Sequence, residues 1–180
     1  EEERGEFRLL LEDDNRLEPD FFAATLAVLT RGPQLDYAFT SSTEFDDTGA
    51  EEVWTPSSRR GVEAFSGEVG RKDMLCWCFY TGIKVSGLIV RNRNEARGTL
   101  RFDVRSGLVA DYRSLCRMAL ASRGGYYVAE PLMRYRRNPV SLSSDAAAQR
   151  WTSLARMLWI TRENCREIVE KMRPSRREWD

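Results

Sequence analysis

The sequence predicts an α/β domain, and three observations predict it. Short apolar runs that break off at charged or turn-forming residues alternate with stretches whose apolar residues recur at helical spacing, in the order strand, helix, strand, strand, helix, strand, helix. The first of these runs, "FRLLLED", is almost continuously apolar, which suits a central strand of a largely parallel sheet covered on both faces. At 180 residues the chain has the size of one domain and buries a core without help from disulfides or metal.

Taken in order, "FRLLLED" is a strand that ends on Glu12, Asp13 and Asp14. Pro19 then opens a helix whose apolar stripe is Phe22, Leu26 and Leu29, closed by "RGP". "LDYAFTSSTEFDDTG" is a second strand, rich in aromatic and β-branched residues, running into a turn at Asp47 to Gly49. Residues 50 to 73 carry Pro56, Gly61, Gly67 and Gly70 without periodicity and are expected to be loop. "MLCWCFYTGI" reads as a buried strand or short helix, and "KVSGLIVRNRN" as a strand with a glycine inside it. A helix follows with Tyr112, Leu115, Cys116 and Ala119 on one face, Asp111 at its entrance and Gly124 and Gly125 at its end. "YYVAEPLMRYRRNPVS" is a closing strand or pair of strands around Pro131. From Ser144 to Met172 a long helical pattern places Trp151, Leu154, Leu158, Cys165, Ile168 and Met172 on one face. The expected organisation is a core over residues 1–143 and a helical extension with a basic tail over 144–180.

Charge and cysteine content exclude several classes of function. Twenty-eight basic residues balance 28 acidic ones, so no global field draws the chain to nucleic acid or another polyanion. Four scattered cysteines are no disulfide framework, and without a single histidine a zinc site has only thiolates and carboxylates to draw on. Four buried thiols in a reducing cytoplasm are expected. No apolar run approaches the roughly 18 residues of a membrane-spanning helix, and no signal peptide is recognised. The chain opens on "EEERGEF" without an initiating methionine, which reads as a piece of a longer or processed protein.

Chemistry concentrates at the first strand-to-helix turn. In open α/β sheets ligands gather outside the carboxyl ends of the strands, where Glu12, Asp13 and Asp14 fall. Adjacent carboxylates resist ionising together unless a cation compensates, so magnesium or manganese carrying a diphosphate is a sensible guest. The plainer alternative is a turn whose acids favour the N-terminus of the next helix. Asp111, just before an apolar-periodic helix, reads from its position as that helix's N-cap. "CWC" at 76 to 78 reads as core rather than metal or redox chemistry, and Trp54, Trp77 and Tyr80 as core or as platforms for a sugar ring. Arg134, Arg136 and Arg137 are either forks for diphosphate oxygens or a solvated strand face.

The pattern is wider than the acids. "GEFRLLLEDDNRLEPDFFAATLAVL" resembles the middle of the inverting family 2 glycosyltransferases, which have the GT-A fold. "DYAFTSSTEFDDTG", "VSGLIVRNRN", "VADYRSLCRMAL" and "YYVAEPLMRYRRNPVSLSS" are similar to the elements that follow in that family, in the same order, over about residues 5 to 144. The resemblance implies a GT-A-like, mixed but largely parallel sheet flanked by helices, and an enzyme that moves a sugar from a nucleoside-diphosphate donor to a hydroxyl of a saccharide acceptor with inversion. It further implies Mn2+ or Mg2+ held by Asp14, with Glu12 ranked below it. Asp13 would lie on the ribose or diphosphate side of the nucleotide sugar, and Asp111 would act as general base. It points to polysaccharide biosynthesis in the cytoplasm, peripheral at the membrane, with no nucleic-acid partner and no transmembrane segment. Asn138 stands where the family commonly has histidine, Ala110 where an acid often precedes the catalytic aspartate, and the family's N-terminal nucleotide-binding half does not occur in these residues. Two other readings are a non-catalytic binding or assembly module on the same scaffold and a nucleotidyltransferase, the latter opposed by the lack of a glycine-rich phosphate loop.

Overall fold

A computed structural model describes residues 5–55, 65–80, 83–92, 110–137, 159, 161–166 and 169–170. Its strands are β1 (Phe7–Leu9), β2 (Arg16–Leu17), β3 (Tyr37–Phe45), β4 (Glu51–Trp54), β5 (Gly67–Val69), β6 (Leu88–Arg91) and β7 (Gly125–Arg136). Its helices include α1 (Phe21–Arg31), α2 (Arg71–Tyr80) and α3 (Ala110–Ala121), a 3-10 turn, Val85–Gly87, leads into β6, and residues 159, 161–166 and 169–170, within the expected C-terminal helix, are helical as well.

The strands join in one sheet of order β1-β6-β3-β7-β2, with β4 added to β3 and β5 to β7. The expectation of a largely parallel, GT-A-like sheet is overturned here. Among the described pairings only β3 with β7 is parallel, while β1–β6, β6–β3, β3–β4, β2–β7 and β5–β7 are all antiparallel. The result is a mixed α/β domain around a strongly curled, mostly antiparallel half-barrel sheet. The physical reason lies in β3 and β7, which are long enough to take two short partners each. β6 pairs with Tyr37–Phe39 of β3 and β4 with Ser42–Phe45, while β5 pairs with the start of β7 and β2 with Arg134 and Met133 near its end. Between these halves the β3–β7 register slips at Thr40, Ser41 and Ser42, opposite Pro131, which has no N–H for a ladder and suits such an irregularity. "FRLLLED" is likewise not central: β1 is half-buried at one end of the strand order, and Leu10 and Leu11 beyond it are exposed.

Helices cover both faces of the sheet. Alternation along β3 and β6 sends Tyr37, Phe39, Leu88 and Val90 to one face, where they pack with Met74, Leu75 and Cys78 of α2 and Leu115, Cys116 and Ala119 of α3. Ala38 and Ile89 point to the other face, against Phe21 and Leu29 of α1. The buried residues of α1 are Phe21, Thr25 and Leu29; of the expected stripe Leu29 is buried, Leu26 is half-buried and Phe22 is exposed. Each fully buried side chain of this size contributes about 1.5–3 kcal/mol of apolar burial. Residues 50 to 73, expected to be loop, instead supply β4, β5 and the first turn of α2.

Cys78 and Cys116 are buried, Cys76 is half-buried, and Cys165 is exposed, so only part of the expected set of core thiols is core. The neighbouring Cys116 side chain and burial together push the Cys78 thiol well above its usual range. In the C-terminal region Asn164 is buried where Cys165 was expected, and the Arg113 guanidinium lies 5.3 Å from the Trp159 ring centroid. Trp151, Leu154, Leu158, Ile168 and Met172 of the expected long helix lie outside the described side chains, as does Asn138. No helix among the described residues is long and apolar enough to cross a membrane.

The carboxyl ends of three strands meet at one edge. β1 and β3 both run antiparallel to β6, so they run the same way, and β7 runs parallel to β3. The turn before β6 returns to that same edge. So does the amino end of α3, because α3 leads directly into the start of β7 and its other end must lie toward the end of β7.

Candidate functional site

That edge collects the polar residues of the site. Glu12 is fixed there by two donors: the Ser86 hydroxyl reaches its Oε2 at 2.8 Å and the Asn15 amide reaches the same oxygen at 2.8 Å. The Glu12 backbone N–H in turn donates to Ser86 Oγ at 3.2 Å. Asn15 is buried and ties the turn to the far side of the sheet, since its Oδ1 accepts the Arg136 N–H at 3.0 Å and its Nδ2 lies 3.0 Å from Ser86 Oγ. One buried amide thus sets the position of the acidic turn relative to both β6 and β7. Glu12 and Asp13 are exposed and Asp14 is half-buried.

Tyr135, one residue from the end of β7, lies at the same edge. Burial raises the pKa of its hydroxyl, and the negative charges of Glu12, Asp14, Glu44 and Asp111 raise it further. The acidic turn and Asp111, distant in sequence, therefore act on one phenol, and Asp13 is not among the groups that do. Lys84 supplies the compensating charge. Its Nζ lies 3.1 Å from Glu44 Oε1, 3.8 Å from the Tyr135 ring centroid and 5.6 Å from that of Trp54.

Asp111 stands in the first turn of α3 and accepts the Tyr112 N–H at 2.7 Å. The residue keeps access to solvent, yet protein atoms crowd its carboxyl, and this desolvation raises its pKa above the ordinary aspartate value. The Tyr112 N–H and the charge of Lys84 work against that rise. A helix-entry aspartate is expected to be depressed by its backbone donors; here crowding outweighs them, which moves the group toward the basicity that proton abstraction requires.

The other sequence candidates divide. Trp54 lies beside Lys84, whereas Trp77 packs edge-on against Phe39 and Tyr127, both at 5.6 Å between centroids, as part of the core. The side chain of Tyr80 lies outside the described residues. The three arginines of β7 and its end are committed to acids of the β3–β4 hairpin: Arg134 pairs with Glu51, Arg136 with Asp47 at 2.7 Å, and Arg137 with Asp46 and Glu52, each at 3.4 Å. Their forks face protein carboxylates in this arrangement, not an open phosphate site. Glu44, Lys84, Ser86, Asn15 and Tyr135 were not among the residues singled out from the sequence.

The donor set also bears on a metal. Among the described residues no three acidic or thiol side chains converge as a closed cage. Glu12 and Asp14 offer hard carboxylate oxygens at a strand end, which fits Mg2+ or Mn2+ held by one or two carboxylates and completed by the oxygens of a ligand and water. It does not fit zinc, which takes four protein ligands in a structural site. No protein-family profile matches this sequence, and no curated protein matches it at a significant level.

Proposed function

We propose that this chain carries the acceptor-side half of an inverting family 2 glycosyltransferase, moving a sugar from a nucleoside-diphosphate donor to a saccharide hydroxyl. What supports this reading is the strand heading: β1, β3 and β7 end at one edge, which places the acidic turn of Glu12 and Asp14 and the helix entrance of Asp111 there. Asp111, made more basic by its crowded surroundings, accepts the proton of the acceptor hydroxyl as that oxygen attacks the anomeric carbon. The new C–O bond forms on the face opposite the leaving group, the bond from carbon to the donor phosphate oxygen breaks, and the proton remains on Asp111. Glu12, held by Ser86 and Asn15, and Asp14 would hold the divalent cation. When bound, that ion supplies positive charge to the departing diphosphate. Asp13, exposed on the turn, is left for the ribose or diphosphate side of the donor. In this reading the protein works in the reducing cytoplasm, where its free thiols persist, and peripherally at the membrane.

One observation favours a second reading, a binding or assembly module without turnover. The charged groups at this edge already find partners within the protein, with Lys84 on Glu44 and two donors on Glu12. A single assay separates the two. Sugar transfer and donor hydrolysis by the full-length gene product are measured with and without Mn2+, alongside Asp111→Asn. The glycosyltransferase reading expects Mn2+-dependent turnover that the substitution abolishes; absence of turnover in the folded wild type supports the module instead.

A further inference from the structure

β2 sets an arginine against an arginine. In its antiparallel ladder with β7, Arg16 is the direct partner of Arg134, so the two side chains leave the sheet as neighbours on one face. Arg136, two positions further along β7, leaves on that face as well. Like charges directly opposite each other on a sheet repel, and a strand of two residues, Arg16 and Leu17, has little else to offset that cost. The protein's own acids answer only part of the charge. Arg134 pairs with Glu51 and, at 3.8 Å, with Glu18, while Arg136 directs Nε and one Nη to a single oxygen of Asp47 at 3.2 and 2.7 Å. Arg16 is exposed and enters no ion pair among the described residues.

The acids that do answer are loosely held, and the arginines are not. Asp47 and Glu51 stand on the β3–β4 hairpin with side chains 62% and 50% exposed, so water screens their pairs and each contributes little. The backbone beneath the arginines is fixed without those pairs, by the β2–β7 register and by the Arg136 N–H, which donates to Asn15 Oδ1 at 3.0 Å. The Arg134 guanidinium also lies 5.3 Å from the Phe45 ring centroid, which steadies it from below. A ligand that displaces Asp47 or Glu51 therefore meets a row already in place. We propose that Arg16, Arg134 and Arg136 form a diphosphate-binding row, half covered by Glu51 and Asp47 as weak internal competitors. Guanidinium forks donate paired N–H groups to phosphate oxygens, and a diphosphate concentrates on one compact group more negative charge than a single carboxylate carries. The inference goes beyond the sugar-transfer reading, since it needs neither Asp111 nor turnover.

The test is calorimetric titration of inorganic pyrophosphate into the 180-residue chain, in metal-free buffer at low salt, for the wild type, Arg16→Gln, Glu51→Gln and Arg31→Gln. Arg31, in the last turn of α1 and outside the row, controls for the loss of one positive charge anywhere on the surface. The expected result is saturable binding by the wild type, weakened about fivefold or more in Arg16→Gln. Glu51→Gln, which frees the Arg134 fork, binds about two- to fivefold more tightly. Arg31→Gln stays near the wild type. Should Glu51→Gln not fold, Asp47→Asn takes its place with the same expected direction, and Arg16→Lys, which keeps the charge but loses the fork, stands in for Arg16→Gln with a smaller loss. No binding by the wild type, an equal loss in Arg16→Gln and Arg31→Gln, or binding no tighter once the hairpin acid is neutralised overturns the inference. The sugar-transfer reading fails separately, through absence of Mn2+-dependent turnover in the folded full-length protein, whatever the pyrophosphate titration shows.

Discussion

Asp111 shows how one side chain's surroundings decide its chemistry. Its ionisation is opposed by crowding and assisted by Lys84 and backbone donors, and crowding wins. The sign of the pH effect follows. A carboxyl whose folded-state pKa is raised adds stability below its unfolded value, and that contribution is lost as pH rises through the folded value. Asp111→Asn is therefore expected to melt no lower than the wild type at neutral pH, with any advantage gone below about pH 3.9, the value of an unperturbed aspartate. The same substitution should lower sugar transfer by about 100-fold or more. Parallel thermal melts and rate measurements across pH check both, and the wild-type rate should rise with pH on a limb that lies above the ordinary aspartate range. Asn15 invites a different prediction. Replacing it with alanine strips donors from Glu12 and leaves the Arg136 N–H unanswered, at a cost of about 1–3 kcal/mol in urea unfolding. At this scale the acids at 12 to 14 and Asp111 could be named as candidates from the sequence, because a charged cluster after an apolar run and an aspartate at a helix entrance are local patterns. Glu44, Lys84 and Tyr135 carry no local mark; only the crossing of the sheet brings residues 44, 84 and 135 together.

Among the elements, helices were the most legible. α1 and α3 announce themselves by apolar residues at offsets of three and four and by the glycines that follow. In α1 Leu29 is buried as expected, but the stripe starts at Phe21 and not Phe22, because "FF" offers two choices and only packing against Ala38 and Ile89 selects Phe21. β4 and β5 were missed for a physical reason: β4 reads Glu51, Glu52, Val53 and Trp54, mostly exposed, and edge strands that bury little leave little alternation to see. The β3–β4 turn was visible through Asp47 to Gly49, and Asp46 completes it by accepting the Thr48 and Ala50 N–H groups, with Gly49 at φ 83°. Hydrogen bonds from Thr48 hold the Asp46 pKa below its usual value, so its share of turn stability is present above that value and fades as pH falls through the folded pKa. β7 begins at Gly125 because nothing larger fits: a Cβ there would lie 2.0 Å from Cε2 of the buried Tyr37 ring. Gly125→Ala is expected to destabilise the fold by about 1–3 kcal/mol or more, measured by chemical denaturation.

For the whole molecule, strand direction was the least legible property. A continuous apolar run fits a parallel strand buried on both faces, but it fits equally a half-buried edge strand followed by exposed Leu10 and Leu11, and β1 is the latter. What the mostly antiparallel sheet preserves is the shared heading of β1, β3 and β7, and on that heading the candidate site depends. β3 and β7 join the two halves of the sheet, so their amides should exchange slowest with deuterium and those of β2 and β4 much faster, a pattern that residue-resolved exchange checks. The most direct test of the central claim, that the acidic turn and Asp111 form one working centre, is nucleoside-diphosphate-sugar binding by calorimetry in the full-length protein with Mn2+. It is run beside sugar transfer for the wild type, Asp111→Asn and the Glu12→Gln/Asp14→Asn pair. The account predicts donor binding unchanged but transfer lost in Asp111→Asn, and both lost in the acidic-turn pair. Donor binding and transfer that survive in the acidic-turn pair, or transfer that survives in Asp111→Asn, would contradict it.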